Sequence, residues 1–132
     1  VPVLNVYENI VLPIQLDGNE VDKDHIDEII SVLGLSEKTH SMSNQLSGGQ
    51  QQRVAIARAL ATKPSIILAD EPTGNLDSKT SQDVLGLMKT SCTRFRQTLI
   101  MITHNEEIAQ MADRIIRIED GRVVMKGGAL HE

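Results

Sequence analysis

The chain has 132 residues, a formal net charge of −5 and a hydrophobic content of 40%, which together predict one globular domain with an ordinary core. The acidic balance argues against a nucleic-acid-binding protein, because contact with the phosphate backbone needs clustered positive charge. The single cysteine, Cys92, excludes an internal disulfide and favours a reducing compartment, and no apolar run approaches the roughly 18 residues that a membrane-spanning helix needs.

Residues 5–16 are apolar and include one proline. The stretch that follows, 21–61, is predicted to be largely helical. A helix is then predicted to begin at the N-cap Asp22 and to stop at Gly34, because four apolar residues between them recur at helical spacing. After a polar loop, Ser47 is predicted to begin a second helix that runs to about Thr62, and its apolar interior is typical of a buried helix.

Strands and helices alternate from residue 65 onward. Two continuous apolar runs, 65–69 and 98–103, are typical of strands that are covered on both faces. Helix starts are predicted at Asp77 or Ser78 and at Asn105. Strands over 114–119 and 122–126 flank the dipeptide Asp120-Gly121, which is a strong hairpin signal. This order of elements predicts an α/β fold with a parallel layer.

Ser47, Gly48 and Gly49 occupy the predicted start of the second helix. A helix start carries unpaired N–H groups and partial positive charge, and the two glycines leave room for a phosphate to approach. Ser47 would add a hydroxyl donor. The alternative is an ordinary serine cap followed by a Gly-Gly turn, and these three residues by themselves do not decide between the two.

Asp70 and Glu71 end the first predicted strand. Adjacent carboxylates there need a compensating cation or proton if they are buried. A Mg²⁺ ion held through Asp70 would supply that compensation, and Glu71 would then orient or deprotonate an attacking water. The alternative is a pair of solvated carboxylates in the following loop.

His104 follows the second predicted strand. The carboxyl ends of parallel strands are where α/β folds bind ligands, so a histidine there has the setting to donate to a phosphate oxygen. The alternative is a histidine that is simply exposed in a loop.

Taken together in chain order, these motifs closely resemble the C-terminal part of the ATP-binding domain of ABC transporters. Residues 46–50, LSGGQ, are similar to the family's signature motif, and 66–70, IILAD, are similar to its Walker B strand. Glu71 stands at the catalytic-glutamate position, 74–77 (GNLD) resemble the D-loop, and His104 stands at the switch histidine. The resemblance covers essentially the whole chain.

The resemblance implies a P-loop NTPase-like α/β core with an ABC-type helical subdomain. The helical portion would span 1–62 and the C-terminal part of the ATPase core 63–132. The segments 69–73 and 74–78, with Leu12-Pro13, look like the exporter branch that serves lipoprotein release, macrolide efflux and antimicrobial-peptide resistance.

The implied function is that of an ATP-binding and ATP-hydrolysing subunit of a membrane exporter, peripheral to the cytoplasmic face of the membrane. Its cofactors would be ATP and Mg²⁺. Its partners would be a second ABC ATPase domain, paired head to tail, and a transmembrane permease. Asp70 would hold the metal, and Glu71 and His104 would be catalytic. The residues that would close the partner's nucleotide site are Ser47, Gly48, Gly49, Gln50 and Asp77.

Two motifs of the family are absent from the 132 residues, namely the phosphate loop G-x-x-x-x-G-K-[ST] and the Q-loop glutamine. Lys38, Lys79 and Lys89 each precede Thr, but none of them has the glycines that the motif requires before the lysine. We therefore expect the chain to be part of a larger domain or to be completed by another chain. By itself it is expected to be inactive, since phosphoryl transfer depends on positioning and charge stabilisation of the phosphate.

Two other functions fit the same motifs. One is a non-catalytic module that presents only the signature to a complete ATPase, although Glu71 and His104 would then have no purpose. The other is an ABC protein outside transport, such as a DNA-repair or translation factor, against which the lack of basic patches and coiled-coil heptads argues.

Overall fold

The computed structural model of the protein describes residues 3–124. Within that range the chain divides into two compact units, of which the first ends at Met101 and the second begins at Ile102. These two compact units are not the helical portion (1–62) and ATPase core (63–132) that the family resemblance implies. That division stays a prediction.

The first unit contains four α-helices, and each begins after a residue whose side chain accepts a hydrogen bond from the first helical turn. The capping residue and helix bounds are Asn5 with α1 (Val6–Leu16), Asp22 with α2 (Lys23–Val32), Ser47 with α3 (Gly48–Ala61) and Asp77 with α4 (Ser78–Arg94). Single 3₁₀ turns, Ser36–Lys38 and Ser43–Gln45, lie between α2 and α3.

The predicted starts at Asp22 and Ser47 are confirmed, and Asp77 is the cap of the fourth helix. The predicted stop at Gly34 is confirmed too, because this residue adopts φ +69° directly after α2, a conformation that glycine reaches at little cost. The apolar segment 5–16, for which no element is predicted, consists of helix α1 and its cap Asn5, with Pro13 inside the helix.

The core of the first unit is aliphatic, as expected for a chain with 2% aromatic residues. All four helices contribute side chains that are shielded from solvent. Fully buried members include Ile10, Ile26, Ile29, Leu33, Leu60 and Val84. This packing fixes α3 and α4 against one another, and both helix starts belong to the candidate site.

Strands β1 (Ile66–Asp70) and β2 (Thr98–Ile102) form a two-stranded sheet, and α4 connects them in the chain. This is the strand–helix–strand arrangement predicted from the sequence. The prediction that both faces are covered is wrong, because Ile66, Leu68 and Ile100 are 54%, 75% and 48% exposed. Only the opposite face, which includes Ile67, packs into the helical core.

The second unit contains α5 (Glu106–Ala109) and a hairpin of β3 (Arg117–Glu119) with β4 (Arg122–Val124). Asn105 caps α5 as predicted. Asp120 and Gly121 both have positive φ, which is the geometry of a tight primed turn, so the predicted hairpin is confirmed. The first of these strands, β3, is shorter than predicted. Arg114 lies outside β3, and residues 125 and 126 lie outside the described range.

Candidate functional site

The first turn of α3 has the hydrogen bonding of a capping box. The Gln50 N–H donates to Ser47 Oγ at 3.1 Å, and the Ser47 N–H donates to Gln50 Oε1 at 2.9 Å. Ser47 and Gly48 are exposed at this helix start. The N–H groups of the first helical turn have no acceptor within the helix, so the exposed Gly48 offers an N–H donor at the positive end of the helix dipole.

Both readings of Ser47 are compatible with this geometry. The serine does cap the helix, as the alternative reading requires. Its oxygen accepts the bond from Gln50, so its own hydroxyl hydrogen can still be directed outward. A cap of this kind therefore does not prevent Ser47 from donating to a phosphate oxygen.

The two glycines lie against the segment that leads into α4. Gly49 is buried, and a Cβ atom added to it would lie 2.8 Å from Cγ2 of Thr80. A Cβ added to Gly48 would lie 3.0 Å from Cδ2 of Leu76. The absence of a side chain at Gly49 is thus needed for packing within this chain, in addition to any access that it gives to a phosphate, whereas at Gly48 a small shift of the Leu76 side chain would make room.

The end of β1 turns sharply at Glu71. Asp70 is the last residue of the strand and is exposed, so its carboxylate is accessible to a cation. Glu71 is half-buried and adopts φ +44°, the left-handed region that residues other than glycine seldom occupy. Its carbonyl oxygen accepts a hydrogen bond from the Gly74 N–H at 3.2 Å, which closes the turn that follows the strand.

The loop over 71–77 is folded onto the first turn of α4. The Leu76 N–H donates to the Thr73 carbonyl at 3.1 Å, and the Ser81 hydroxyl lies 3.4 Å from the carbonyl oxygens of both residues. Thr73 and Ser81 are 5% and 8% exposed. Asp77, at the end of the loop, accepts the Thr80 N–H at 2.8 Å. That backbone hydrogen bond is the main cause that holds the pKa of the Asp77 carboxyl below its ordinary value.

His104 lies in the second unit, whereas the other predicted site residues lie in the first. It is exposed and stands between β2 and the cap of α5. There the Asn105 N–H donates to Thr103 Oγ1 at 3.0 Å.

The first unit therefore places two predicted motifs next to each other. The loop between Asp70 and Asp77 lies with Leu76 against the start of α3, which carries Ser47 and the two glycines. The last residue of the loop, Asp77, caps α4. Mg²⁺ in nucleotide sites is usually held by one or two carboxylates together with phosphate oxygens and water, and the exposed Asp70 meets that requirement. The exposed turn at Ser47 and Gly48 likewise suits a terminal phosphate.

Sequence reasoning did not single out Leu76, Thr80 or Ser81 as site residues. Thr80 stands three positions after the cap Asp77, and the backbone N–H at that position usually donates to the capping side chain. This spacing was the only local signal of its contact with Asp77. The contact of Thr80 with Gly49 joins residues that are far apart in the chain, so no local pattern indicates it.

The family model, the relatives and the solved structures that match this chain all point to one family. A family model described as ABC transporter matches residues 1–74. An uncharacterized ABC transporter ATP-binding protein of Thermotoga maritima is 47% identical over 124 residues, covering 92% of this chain and 53% of the relative. The lipoprotein-releasing system ATP-binding protein LolD 1 of Rhodopseudomonas palustris is 43% identical, covering 88% of this chain and 53% of the relative. The chain thus spans about half the length of these relatives.

A solved structure supports the same conclusion. The dimeric structure of MJ0796, a bacterial ABC transporter cassette, matches with a TM-score of 0.73 at 41% identity, over 93% of this chain and 56% of that one. A dimeric post-hydrolysis state of the same cassette, bound to ADP and Pi, matches with a TM-score of 0.72. The predicted P-loop NTPase-like α/β fold is confirmed by these matches. Among the described residues no helix has both the length and the apolar character needed to cross a membrane.

Proposed function

The chain belongs to the ABC transporter family, and from this membership we propose that it forms part of an ATP-hydrolysing subunit that drives a membrane exporter. The observation that carries the proposal is the packing of the signature turn, Ser47–Gln50, against the loop that follows Asp70 and Glu71. The resemblance to the proteins named LolD and MacB supports an exporter, and the MacB protein of Syntrophobacter fumaroxidans, a macrolide export ATP-binding/permease protein, is 42% identical to this chain.

We propose two groups of residues that serve different nucleotides. The first group would close the nucleotide site of a partner ATPase domain, and it consists of Ser47, Gly48, Gly49, Gln50 and Asp77. Asp70 would hold Mg²⁺ at the chain's own nucleotide, Glu71 would act as general base, and His104 would donate to the transferred phosphoryl group. When Mg²⁺ and ATP are bound, the metal supplies charge stabilisation to the phosphoryl oxygens.

Two partners are proposed from these two groups of residues. A second ABC ATPase domain would pair head to tail, since the dimeric cassettes that resemble this chain support such pairing. A transmembrane permease would hold the helical portion, 1–62, at the cytoplasmic face of the membrane, while 63–132 would contribute to the ATPase core. The permease would select the exported substrate.

The pairing is tested by ATP-dependent association in solution. The 132-residue chain, labelled with a fluorophore, is mixed with a complete cassette of a relative whose hydrolysis is blocked, with and without MgATP. We expect association only with MgATP and its loss in Ser47→Ala. Asn5→Ala is the matched control, because it removes the cap and capping box of α1 without touching the signature. Equal binding by Ser47→Ala and Asn5→Ala would contradict the proposal.

Hydrolysis is tested in a chimera, because the 132 residues contain no phosphate loop. The phosphate-loop region of a relative such as the Thermotoga maritima protein is fused ahead of Val1. We expect MgATP hydrolysis that Glu71→Gln nearly abolishes while ATP-dependent pairing persists. A chimera that pairs but never hydrolyses ATP would favour the non-catalytic binding module instead.

A further inference from the structure

Gly49, the second glycine of the signature turn, lies directly against α4. The added Cβ of Gly49 would lie 2.8 Å from Thr80 Cγ2 and 3.8 Å from Val84 Cγ2. A separation under 3.0 Å cannot persist, so a side chain at position 49 must move one of the helices or rotate Thr80. Rotation is restricted, because a helical threonine has only two main χ1 rotamers and the Thr80 side chain is hydrogen-bonded to the Asp77 carboxylate.

Thr80 is itself fixed from the other side. Its N–H donates to the Asp77 carboxylate at 2.8 Å, and the neighbouring Ser81 hydroxyl reaches the carbonyl oxygens of Thr73 and Leu76. These bonds fasten the first turn of α4 to the loop that begins at Glu71. Thr80 therefore contacts the signature turn with its methyl group and the 71–77 loop with its backbone.

We infer that Thr80 is a positioning residue that fixes the signature turn relative to the Glu71–Asp77 loop. The turn and the loop would then keep a constant relative position when they bind nucleotide. The inference rests on the proposed function of the signature turn. Thr80 acts through Gly49 and Asp77, and it is not a catalytic residue. The second signature glycine is then required by this contact as well as by the phosphate.

A double-mutant cycle in urea unfolding tests the contact on the 132-residue chain. The variants are Gly49→Ala, Thr80→Ser and their combination, since serine lacks the Cγ2 methyl group that the new Cβ would meet. We expect Gly49→Ala to lower the folding equilibrium constant about tenfold or more, the usual size of an overpacking effect, and Thr80→Ser to restore most of that loss. Gly86→Ala is the matched control, because Gly86 also lies in a helix and an added Cβ there meets no atom within 4 Å.

If Gly49→Ala is tolerated as well as Gly86→Ala, or if Thr80→Ser fails to restore stability, the inference is overturned while the proposed function is unaffected. The same variants are then compared in ATP-dependent association with the hydrolysis-blocked cassette. We expect Gly49→Ala to weaken association about tenfold, with recovery in the double variant. Recovery of stability without recovery of association would overturn the positioning role. A wild-type chain that never associates would instead refute the proposed function, and the unfolding cycle would still decide whether Thr80 sets the position of the turn.

Discussion

The backbone of Glu71 gives a prediction that separates function from stability. This residue has φ +44° at the end of β1. A residue with a Cβ atom in this region costs about 1–2 kcal/mol relative to glycine. Replacement by glycine removes that cost but adds freedom to the unfolded chain, which is worth about 0.5–1 kcal/mol in the opposite direction. Glu71→Gly should therefore stabilise the fold by about 0.5 kcal/mol, and it should abolish hydrolysis in the chimera.

Arg96 provides the matched control for this substitution. It is exposed, has φ +56° and follows α4, where the Gln97 N–H donates to the Cys92 carbonyl at 2.7 Å. Arg96→Gly should raise stability by a similar amount, because the same left-handed conformation is relieved. It should leave ATP hydrolysis unchanged, since Arg96 belongs to a helix end that carries no predicted site residue.

Unfolding in urea, followed by far-UV circular dichroism, measures both effects, since the chain has no tryptophan. With a urea dependence of about 1–3 kcal/mol per molar, a gain of this size raises the midpoint by roughly 0.2–0.5 M. Glu71→Gln should leave the midpoint near that of the wild type, because glutamine keeps the same backbone cost. A clear loss of stability in Glu71→Gly, with the expected gain in Arg96→Gly, would refute the reasoning, since the Glu71 side chain would then serve the fold.

Three further predictions concern the first unit. Leu60 is fully buried in α3, so Leu60→Ala should lower the free energy of unfolding by about 2–5 kcal/mol and Leu60→Met by less than about 1.5 kcal/mol, as measured in urea. The depressed pKa of Asp77 means that its ionised cap stabilises the fold above the unfolded-state pKa of about 3.9. The stability advantage of wild type over Asp77→Asn should therefore vanish as the pH falls through the lower folded-state pKa, and an advantage that persists in acid would contradict this cause. Burial raises the pKa of the Cys92 thiol, so a disulfide reagent should label the native chain at least about tenfold more slowly than the chain in urea.

Local signals made much of the first unit predictable. The caps at Asp22 and Ser47 and the stop at Gly34 depend on residues within one helical turn, and all three were found. The hairpin at Asp120-Gly121 was found for the same reason. Helix α1 is not predicted, although Asn5 and Glu8 form a capping box whose spacing of three residues is visible in the sequence.

Contacts between residues that are far apart in the chain could not be predicted from local sequence patterns. A continuous apolar run such as 66–69 indicates that a strand can be buried on both faces, but it does not say which element covers each face. The exposure of Leu68 thus contradicts the prediction made from this apolar run, while the burial of Ile67 agrees with it. The contact between Gly49 and Thr80 depends on how α3 and α4 pack, so it emerged only from the structure.

The left-handed backbone of Glu71 is the strongest structural argument that its side chain has a function. Within residues 3–124, Lys63 and Arg96 share this conformation because each ends a helix, and Asp120 shares it because it begins a tight hairpin turn. Glu71 stands instead at the sharp turn between β1 and the loop that leads to α4. Glycine would fit there at lower cost, so the presence of a carboxylate argues that its chemistry outweighs the strain. The same reasoning predicts that stabilising replacements at position 71 are available but inactive.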